Sequence, residues 1–370
     1  YRENSQRNFI QEGLLNAKDN DINTIEHKNT KLDEFKQYHQ CRMPRPSRLH
    51  QLLGASSMSH LLILGHSQIA KKQLIPAARG NFSAIDIASR RPIEADNINC
   101  CFDSYEKALK ESKADVVYVS LVNSEHAHWA RQALESGRHC IVDKPAFLNQ
   151  TDAMQLVALA VSKNLLLAEA TVWTQHPQVD QILSLFEQSQ SPITKAVALF
   201  SMPPFDKGNF RWKPDLGGGA IYDLGPYFVS SGRALFSGAA ESVHADIHDW
   251  HNDVPLSFSV QAKWPCGGCL IGHFGFDSEY INRLEILNEK MHVTVNRAFT
   301  TPADLENVVQ ISQGNRPASL TIPAGNSFEH FFKNVLTSIQ NNNFQYWHQD
   351  LLDDAQSMAL LLKATKEDKS

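Results

Sequence analysis

The sequence predicts an α/β fold in which a parallel sheet flanked by helices is followed by an α+β domain with a largely antiparallel, open-faced sheet. Between residues 59 and 172, strand and helix patterns alternate, as they do in repeated β-α units. From Lys195 onward, strand-like runs follow one another with few helices between them, which is typical of an antiparallel sheet. We therefore predict domains at 58–172 and 173–370, preceded by an extension at 1–57.

Composition excludes several classes of protein. The chain has 370 residues, 42% of them hydrophobic and 20% charged, with a net charge of −5. These values are ordinary for a soluble globular protein, and the absence of a long basic run argues against a nucleic-acid partner. We recognise no apolar run of membrane-spanning length and no secretory signal. Six sparse cysteines favour a reduced, cytoplasmic location.

Residues 1–57 differ in composition from the rest of the chain. They are rich in Asn, Gln, Lys and Asp and show no steady apolar period. Such a segment buries little surface, so we predict a partly disordered extension with one helix near Thr30 to His39. It could be a linker, a remnant of a longer polypeptide or the result of a mis-set start.

A strand, a tight turn and a helix open the first domain. The apolar run Leu61 to Leu64 precedes Gly65-His66-Ser67-Gln68-Ile69-Ala70, and a helical pattern continues through Ala78. This order is that of a dinucleotide-binding fingerprint, although Ser67 occupies the place of the second glycine. The alternative is a plain strand-to-helix turn. If the fingerprint is real, the cofactor contacts are Gly65, Ser67, Gln68 and Ile69.

The end of the second strand indicates which dinucleotide is bound. After the strand Phe82 to Ala88 come Ser89, Arg90 and Arg91. NAD enzymes place an acid at about this distance from the first glycine, whereas an arginine accommodates the 2′-phosphate of NADP. The alternative is a solvated basic loop. We predict NADP(H) as the preferred cofactor, with NAD(H) possible.

The β-α alternation then continues to a lysine at a strand end. The strand Val116 to Leu121 is followed by two modest cofactor-site candidates, Asn123 and His126. The strand Cys140 to Val142 ends in Asp143, Lys144 and Pro145, where a lysine is either placed for chemistry or merely solvated. The helices and the last strand are predicted at Ser104 to Glu111, Ala127 to Ser136, Asp152 to Ser162 and Leu165 to Ala168.

In the second domain, a helix at Pro177 to Gln188 precedes six predicted strands, and helices close the chain. The Cys266-Cys269 pair has the spacing of a zinc or redox motif, but Pro-Cys-Gly-Gly favours a hairpin turn with reduced thiols. His244, Asp246 and His248 share a strand face, which we interpret as exposed and polar; we predict no metal site. The predicted strands are Ala196 to Phe200, Ser242 to Ile247, Leu256 to Trp264, Leu270 to Phe276, Arg283 to Leu287 and His292 to Val295, and the closing helices are Phe328 to Ile339 and Leu351 to Ala364.

A glycine-rich stretch in the second domain sets an acid and a phenol on one face. Gly217, Gly218 and Gly219 permit close backbone approach, and Asp223 and Tyr227 follow four residues apart. At helical spacing their side chains point into the same space. A loop that only caps a core helix would explain the glycines but not the paired polar groups.

Four motifs in order resemble those of the Gfo/Idh/MocA family, named after glucose-fructose oxidoreductase and inositol 2-dehydrogenase. They are the modified turn at Gly65, SLVNSEH (family "TPN…H"), GRHCIVDKP (family "GKHVxxEKP") and GGGAIYDLGPY (family "GGGxxxDxGxH"). The departures are Ser67 for glycine, Val122 for proline, Asp143 for glutamate and Tyr227 for histidine. Tyrosine at the last position is similar to the branch with dimeric dihydrodiol dehydrogenase.

The resemblance implies a Rossmann domain and a nicotinamide-dependent oxidoreductase acting on a sugar, polyol or related cyclic alcohol. Lys144, Asp223 and Tyr227 are then the catalytic residues, with Tyr227 as the acid/base. We expect the Lys144 ammonium to lower the pKa of the phenol from its usual value of about 10, and Asp223 to bind substrate or orient Lys144.

The remaining expectations concern the substrate, the assembly and an alternative function. The substrate pocket is expected to include Trp173, His176, Arg211 and Trp212; the alternative is that all four, and the two tryptophans above all, are packing residues at the domain boundary. By analogy with the family we expect a homodimer or homotetramer. The alternative is a non-catalytic NADP-binding regulatory or scaffold protein, in which residues 1–57 could bind a partner.

Overall fold

Two sheets form the framework of the computed structural model, which describes residues 59–93, 96–251 and 253–367, the last residue by its backbone only. All of these residues belong to one compact unit. The predicted extension at 1–57, with its helix near Thr30 to His39, lies outside the described residues. Within the described ranges, no helix has the length and apolar character needed to cross a membrane.

The first sheet is fully parallel and has the order β3-β2-β1-β4-β5-β6. This is the strand order of a Rossmann fold, so that part of the fold prediction is confirmed. Apart from β3, its strands are nearly continuous buried runs because helices cover both faces. The bounds are β1 His60–Leu64, β2 Ala84–Ala88, β3 Cys100–Phe102, β4 Val116–Val119, β5 His139–Val142 and β6 Leu167–Glu169.

The helices that accompany this sheet lie where the sequence predicted them. Helix α1 begins with a π-helical segment, Ala70–Leu74, and continues as an α-helix over Ile75–Ala78. The others are α2 Tyr105–Glu111, α3 His126–Glu135 and α4 Gln150–Ser162. Strand β3 was not predicted, because its three residues, two of them exposed cysteines, carry no strand pattern.

The second sheet has eight strands in the order β14-β13-β12-β11-β7-β10-β9-β8. Only the β7–β10 pair is parallel, and the other neighbours are antiparallel, as predicted. The unpredicted strands β13 and β14 form a hairpin with largely exposed residues. The bounds are β7 Lys195–Ser201, β8 Ser242–His251, β9 Val254–Lys263, β10 Cys269–Gly275, β11 Ile281–Leu287, β12 Met291–Asn296, β13 Asn307–Gln313 and β14 Arg316–Ile322.

The turn between β9 and β10 confirms the predicted hairpin. The amide of Trp264 donates to the carbonyl of Gly268, and Cys266 and Cys269 are free thiols. His244, Asp246 and His248 are all exposed on β8, as expected of a polar face. Among the residues with described coordinates, no group of three or more His, Cys, Asp or Glu is placed to hold a metal ion.

Within the described residues, four further helices follow: α5 Pro177–Gln188, α6 Ala220–Phe236, α7 Ser327–Gln340 and α8 Gln345–Glu367. Helix α6 packs on one face of the second sheet, where Phe228 and Trp264 belong to the same apolar core. Helix α7 instead packs on the first sheet, with Phe331 and Phe332 in the same core as Leu61. The C-terminal helices thus return to the Rossmann sheet, although the sequence placed 173–370 in the second domain.

Candidate active site

A cleft of about 970 Å³ lies where the strands of the first sheet end and the second domain begins. Its floor consists of residues that directly follow β1, β2, β4, β5 and β6, as expected for an open α/β sheet. Most of the predicted site residues line it: Gly65, Ser67, Gln68, Ile69, Ser89, Arg90, Arg91, Asn123, Lys144, Trp173, Arg211, Asp223 and Tyr227. His126, His176 and Trp212 do not.

The turn after β1 depends on glycine at residue 65. Gly65 has a φ of +104°, and a Cβ there would lie 2.1 Å from the carbonyl oxygen of Ser120. Its amide donates to the carbonyl of Ala88, so the turn is held against both neighbouring strands. The result is a tight backbone turn that opens a helix at the cleft, which suits a dinucleotide pyrophosphate.

Two arginines lie at the end of β2. Arg90 and Arg91 are exposed at the cleft, and the guanidinium carbon of Arg90 lies 4.8 Å from the centre of the Tyr105 ring. Its Nη1 is also 3.2 Å from the Glu125 carboxylate. Since β2 ends at Ala88 and Ser89 follows it, no acid occupies the position that binds a ribose 2′-hydroxyl in NAD enzymes. This set of donors fits the 2′-phosphate of NADP.

Lys144 connects the first sheet to helix α6. Its Nζ donates to Asp223 Oδ1 at 3.0 Å and to the backbone carbonyl of Asp223 at 2.6 Å. Burial, the largest single influence, acts to lower the pKa of Lys144, but the charge and hydrogen bond of Asp223 together with Tyr227 outweigh it and the pKa is raised. Lys144 is therefore a charged side chain at the cleft, fixed in position by its hydrogen bonds to Asp223. The interpretation as a solvated strand-end lysine is wrong.

Asp223 binds a second cation, Arg211. Arg211 Nε and Nη2 donate to the two carboxylate oxygens at 2.9 and 3.1 Å, and its guanidinium lies between the rings of Phe205 and Phe210. Burial alone would raise the pKa of Asp223, but Lys144 and Arg211 hold it well below its usual range. Asp223 is thus a fixed carboxylate shared by two cations.

Tyr227 lies one helical turn after Asp223 and contacts the same lysine. Lys144 Nζ is 4.8 Å from the centre of the Tyr227 ring, which packs against Phe200 and Phe299. Burial raises the pKa of Tyr227, and the lowering effect of Lys144 does not overcome it. The expectation that Lys144 brings this pKa below its ordinary value is therefore wrong, because desolvation of the phenolate dominates.

The glycine loop joins the two domains beside this cluster. Asn123 donates to the carbonyl of Gly217 at 2.8 Å, and a Cβ on Gly217 would lie 2.8 Å from the Asn123 side chain. A Cβ on Gly218 would lie 2.5 Å from the Arg211 carbonyl oxygen. The glycines are required because the loop packs directly on its neighbours at the start of α6.

Three predicted site residues have structural roles instead. His126 is buried, and its ring nitrogens pair with the carbonyls of Pro145 and Leu121. His176 caps α5 through Nδ1 and pairs with the carbonyl of Gly325 through Nε2. Trp212 is buried and donates to the carbonyl of Asp206. Each has its polar atoms directed into the protein and none lines the cleft, so their assignments to cofactor or substrate are corrected.

Trp173 is both a packing residue and part of the lining of the cleft. Its Nε1 donates to Ser230 Oγ at 3.0 Å, and only 3% of its surface is exposed. It nevertheless lines the cleft beside Phe299, with which it makes an edge-to-face contact. It can therefore present an apolar surface to a ligand but has no free polar group there.

Several cleft residues were not predicted from the sequence. Phe299, Thr300 and Thr301 follow β12, and Asn326 to Phe328 begin α7. Neither segment has a motif; the end of β12 brings the first to the cleft, and the return of α7 to the first sheet brings the second. Phe210 and Lys213 shortly precede the three consecutive glycines in the chain. The glycine-rich stretch was therefore the one sequence feature that pointed to them as cleft residues.

Comparison with known proteins agrees with this arrangement. Residues 60–171 match the model of an oxidoreductase family with an NAD-binding Rossmann fold, and residues 193–294 match the GFO/IDH/MocA C-terminal domain. The chain belongs to the GFO/IDH/MocA family. The predictions of this family, its fold and an oxidoreductase are confirmed.

Curated relatives in the family act on sugars and diols. A dTDP-3,4-didehydro-2,6-dideoxy-alpha-D-glucose 3-reductase from Saccharopolyspora spinosa is 30% identical over 71% of this chain and 82% of its own. A D-xylose 1-dehydrogenase (NADP(+)) from Haloferax volcanii is 31% identical over 64% of this chain and 75% of its own. Trans-1,2-dihydrobenzene-1,2-diol dehydrogenase from Xenopus laevis is 32% identical over 45% of this chain and 51% of its own.

Among solved structures, a 3-ketoreductase from Actinomadura kijaniata in complex with NADP and TDP-benzene is similar over nearly its whole length. The TM-score is 0.77 at 27% identity, covering 84% of this chain and 97% of that chain. The GFO/IDH/MocA relationship therefore extends through both domains and includes the cleft between them.

Proposed function

We propose that this protein is an NADP(H)-dependent oxidoreductase that transfers a hydride between the nicotinamide and a carbon of a sugar, polyol or related cyclic alcohol or ketone. The observation that carries the proposal is the cluster of Lys144, Asp223 and Tyr227, which lies in the same cleft as the glycine turn at Gly65. The NADP named for the similar 3-ketoreductase and xylose dehydrogenase supports the cofactor.

The cleft residues divide into groups for holding the cofactor. We assign the turn of Gly65, Ser67, Gln68 and Ile69 to the pyrophosphate and Ser89, Arg90 and Arg91 to the ribose 2′-phosphate; their common position in the lining of the cleft supports this assignment. Asn123 and Lys144 lie deeper, towards the second domain. The nicotinamide, when bound, supplies or accepts the hydride.

Proton transfer falls to Tyr227. Because burial raises the pKa of the phenol, it is protonated at neutral pH and can donate to a substrate oxygen that becomes negative during reduction. In oxidation the phenolate accepts that proton. Lys144 remains charged and is held by Asp223, so it stabilises negative charge on the phenolate and on the substrate oxygen.

Lys144, Asp223 and Arg211 together leave one net positive charge near Tyr227. Two of these groups are cations and one is an anion, joined by direct hydrogen bonds. We assign Asp223 to orient Lys144, as predicted. Arg211, predicted as a substrate ligand, donates to Asp223 through Nε and Nη2. Fewer of its N–H groups are therefore available to bind a substrate.

The substrate side of the cleft is mainly aromatic. Trp173, Phe210 and Phe299 provide apolar faces, and Thr300 and Asn326 add polar groups that are also bonded to Asn282 and to the start of α7. Apolar faces with polar edges suit a carbohydrate ring, which presents C–H faces and hydroxyl edges. The names of the sugar-reducing and sugar-oxidising relatives support this class.

A substrate screen tests the proposal. The protein is incubated with NADP⁺ or NAD⁺ and a panel of aldoses, polyols, dTDP-linked deoxysugars and a trans-dihydrodiol, with the corresponding carbonyl compounds and NADPH in the reverse direction. We expect turnover of a carbohydrate with NADP(H) favoured over NAD(H). Binding of NADPH, seen as enhanced fluorescence, without turnover of any compound would instead favour the non-catalytic regulator or scaffold.

Location and assembly stay predictions from the sequence: a cytoplasmic enzyme and a homodimer or homotetramer. Exposed apolar side chains on the second sheet, Ile271, Ile281 and Val308, support self-association. Light scattering coupled to size-exclusion chromatography measures the mass. A monomer at micromolar concentration would contradict the assembly prediction.

A further inference from the structure

Ser67 stands where the dinucleotide fingerprint has its second glycine, and its side chain is already bonded. Its Oγ accepts from the amide of Ala70 at 3.0 Å and lies 2.8 Å from Ser120 Oγ, at the end of the neighbouring strand β4. The hydroxyl of Ser67 is therefore directed towards the carboxyl ends of the strands. A glycine could provide neither contact.

The directions of these hydrogen bonds follow from the acceptor at the end. Asp143 offers only acceptor oxygens when ionised, so Ser120 Oγ donates to Asp143 Oδ2 at 2.7 Å and Tyr118 donates to Asp143 Oδ1 at 2.6 Å. Ser120 has used its one proton, and Ser67 must therefore donate to Ser120. A single directed chain runs from the Ala70 amide through Ser67 and Ser120 to Asp143.

Asp143 immediately precedes Lys144 and shares its segment. The amide of Asp143 donates to the carbonyl of Val119, and the amide of Ala146 donates to Glu169 Oε2 at 2.8 Å. With both carboxylate oxygens fixed as well, the backbone on either side of Lys144 is tied to strands β4 and β6. The Lys144 side chain then leaves this segment in one direction, towards Asp223.

We propose that Ser67 and Ser120 are positioning residues that act through Asp143 on Lys144, and so couple the nucleotide-binding turn to the catalytic cluster. The inference rests on the proposed function for its catalytic consequence, but the coupling itself is a property of the hydrogen-bonded chain. It assigns a role to the serine by which this chain departs from the family's glycine, and to the aspartate that replaces the family's glutamate.

A simpler role for Ser67 is to cap the start of α1 through the Ala70 amide. Ser120→Ala separates the two roles, because it breaks the chain to Asp143 and leaves the contact between Ser67 and Ala70. Ser67→Ala and Ser67→Gly remove both. Ser67→Thr keeps a hydroxyl. Ser136→Ala is the matched control. Ser136 lies just after the last residue of α3, its hydroxyl donates to the carbonyl of Ala133, and it does not line the cleft.

Two measurements are made on the full chain. Hydrogen exchange of the cofactor-free protein follows the peptide that contains the amides of Asp143 and Ala146. We expect about three- to tenfold faster exchange in Ser67→Ala and Ser120→Ala, corresponding to one lost hydrogen bond, and wild-type exchange in Ser67→Thr and Ser136→Ala. Kinetics with the best substrate from the screen are expected to show kcat lowered by a similar factor, with the NADPH Kd of Ser120→Ala unchanged.

The double variant Ser67→Ala/Ser120→Ala decides whether the two hydroxyls form one chain. We expect it to lose no more than Ser120→Ala alone, since residues in one network are not additive. Unchanged exchange and unchanged kcat in Ser120→Ala, or additive losses in the double variant, would overturn the inference. If the wild-type protein turns over no substrate, the proposed function fails, and the exchange measurement still tests the coupling.

Discussion

The ammonium of Lys144 donates to both the carboxylate and the backbone carbonyl of Asp223, and these bonds join the end of a Rossmann strand to a helix of the second domain. Both residues are largely buried, with 17% and 13% of their side chains exposed. Because Asp223 and Tyr227 lie one turn apart on α6, one contact between domains fixes the lysine relative to the phenol.

Removal of the Tyr227 hydroxyl tests the proton-transfer role. Tyr227→Phe keeps the ring contacts with Phe200 and Phe299 but has no proton to donate. We expect kcat to fall by about 10²- to 10⁴-fold, the usual contribution of a positioned acid or base, with the NADPH Kd unchanged. Tyr222→Phe, on the same helix but outside the cleft, is the control. Near-normal kcat in Tyr227→Phe would remove this tyrosine from the mechanism.

The pH dependence of the reaction follows from the raised pKa of Tyr227. A raised pKa keeps the phenol protonated, so the rate of reduction should be level around neutral pH and fall only in the alkaline range. The rate of oxidation needs the phenolate and should rise with pH over the same range. Initial rates in both directions between about pH 6 and pH 11, with buffers of constant ionic strength, measure the two limbs. Oxidation that is independent of pH would contradict the assignment.

Removal of the Arg211 charge should shift the pH range in which the rate of oxidation rises. Its charge, like that of Lys144, lowers the pKa of Tyr227 and opposes Asp223. Arg211→Gln removes this cation, so we expect the pKa of Tyr227 to rise further and the oxidation limb to move to higher pH, with kcat for oxidation at about pH 8 reduced about tenfold for a shift of one unit. Lys207→Gln, an exposed cation in the same loop, should leave the profile in place. A substrate-KM effect without a pH shift would instead restore Arg211 as a substrate ligand.

Arg90 should govern the choice between the two dinucleotides. A charge-assisted hydrogen bond contributes about 1.5–3 kcal/mol, so Arg90→Ala is expected to raise the NADPH Kd by about 10- to 100-fold while the NADH Kd changes little. Fluorescence titration of each dinucleotide measures both constants. Arg79→Ala, in which the lost arginine bonds the carbonyl of Asp96 away from the cleft, is the control. Equal losses for both dinucleotides would assign Arg90 to another part of the cofactor.

The last turn of helix α6 carries a buried ion pair that should contribute strongly to the free energy of unfolding of the protein. Arg233 donates to both oxygens of Asp354 on α8 at 2.8 and 2.9 Å, and both side chains are at most 7% exposed. Arg233 also pairs with the carboxylate of Asp350, so Arg233→Leu leaves two carboxylates, one of them fully buried, without their cation, at a cost of about 3–5 kcal/mol in the free energy of unfolding. Urea denaturation of this variant and of Arg233→Leu/Asp354→Leu measures the cost, and the double variant should recover part of it.

The sign of the pH effect in Arg233→Leu follows from the same charge. Burial raises the pKa of Asp354 to about 7 even with Arg233 beside it, and loss of the cation should raise this pKa further. The variant then incurs an extra cost only where the wild-type carboxyl ionises, so its deficit relative to wild type should be level in the acidic range and grow as the pH rises through about 7. A deficit that is constant with pH would show that lost packing, not the charge, is responsible.

Most of the parallel strands were predictable from the sequence because each is a short, continuous apolar run. The strand ends carried the signal for Gly65, Arg90 and Lys144, and the four-residue spacing carried it for Asp223 and Tyr227. Short or exposed strands, such as β3 and the hairpin of β13 and β14, were missed because few of their residues are buried and they form no continuous apolar run.

The histidines and tryptophans show where residue type misleads. His126, His176 and Trp212 are residues that commonly bind ligands, and they occur close in sequence to true cleft residues. Each is turned inward, where its ring nitrogens pair with backbone groups: carbonyls for His126 and Trp212, and one carbonyl and one amide for His176. Sequence proximity does not determine side-chain direction, so this outcome was not predictable.

By itself, the sequence determined the two-sheet fold, the glycine turn, the NADP-type arginines and the pairing of Asp223 with Tyr227. Only the tertiary structure decided how charges act in the site: Arg211 binds Asp223 rather than open space, and burial raises the pKa of Tyr227 despite Lys144. The reason is physical. Motifs depend on local spacing along the chain, whereas desolvation and ion pairing depend on which distant residues close around a group, such as α6 against the end of β5.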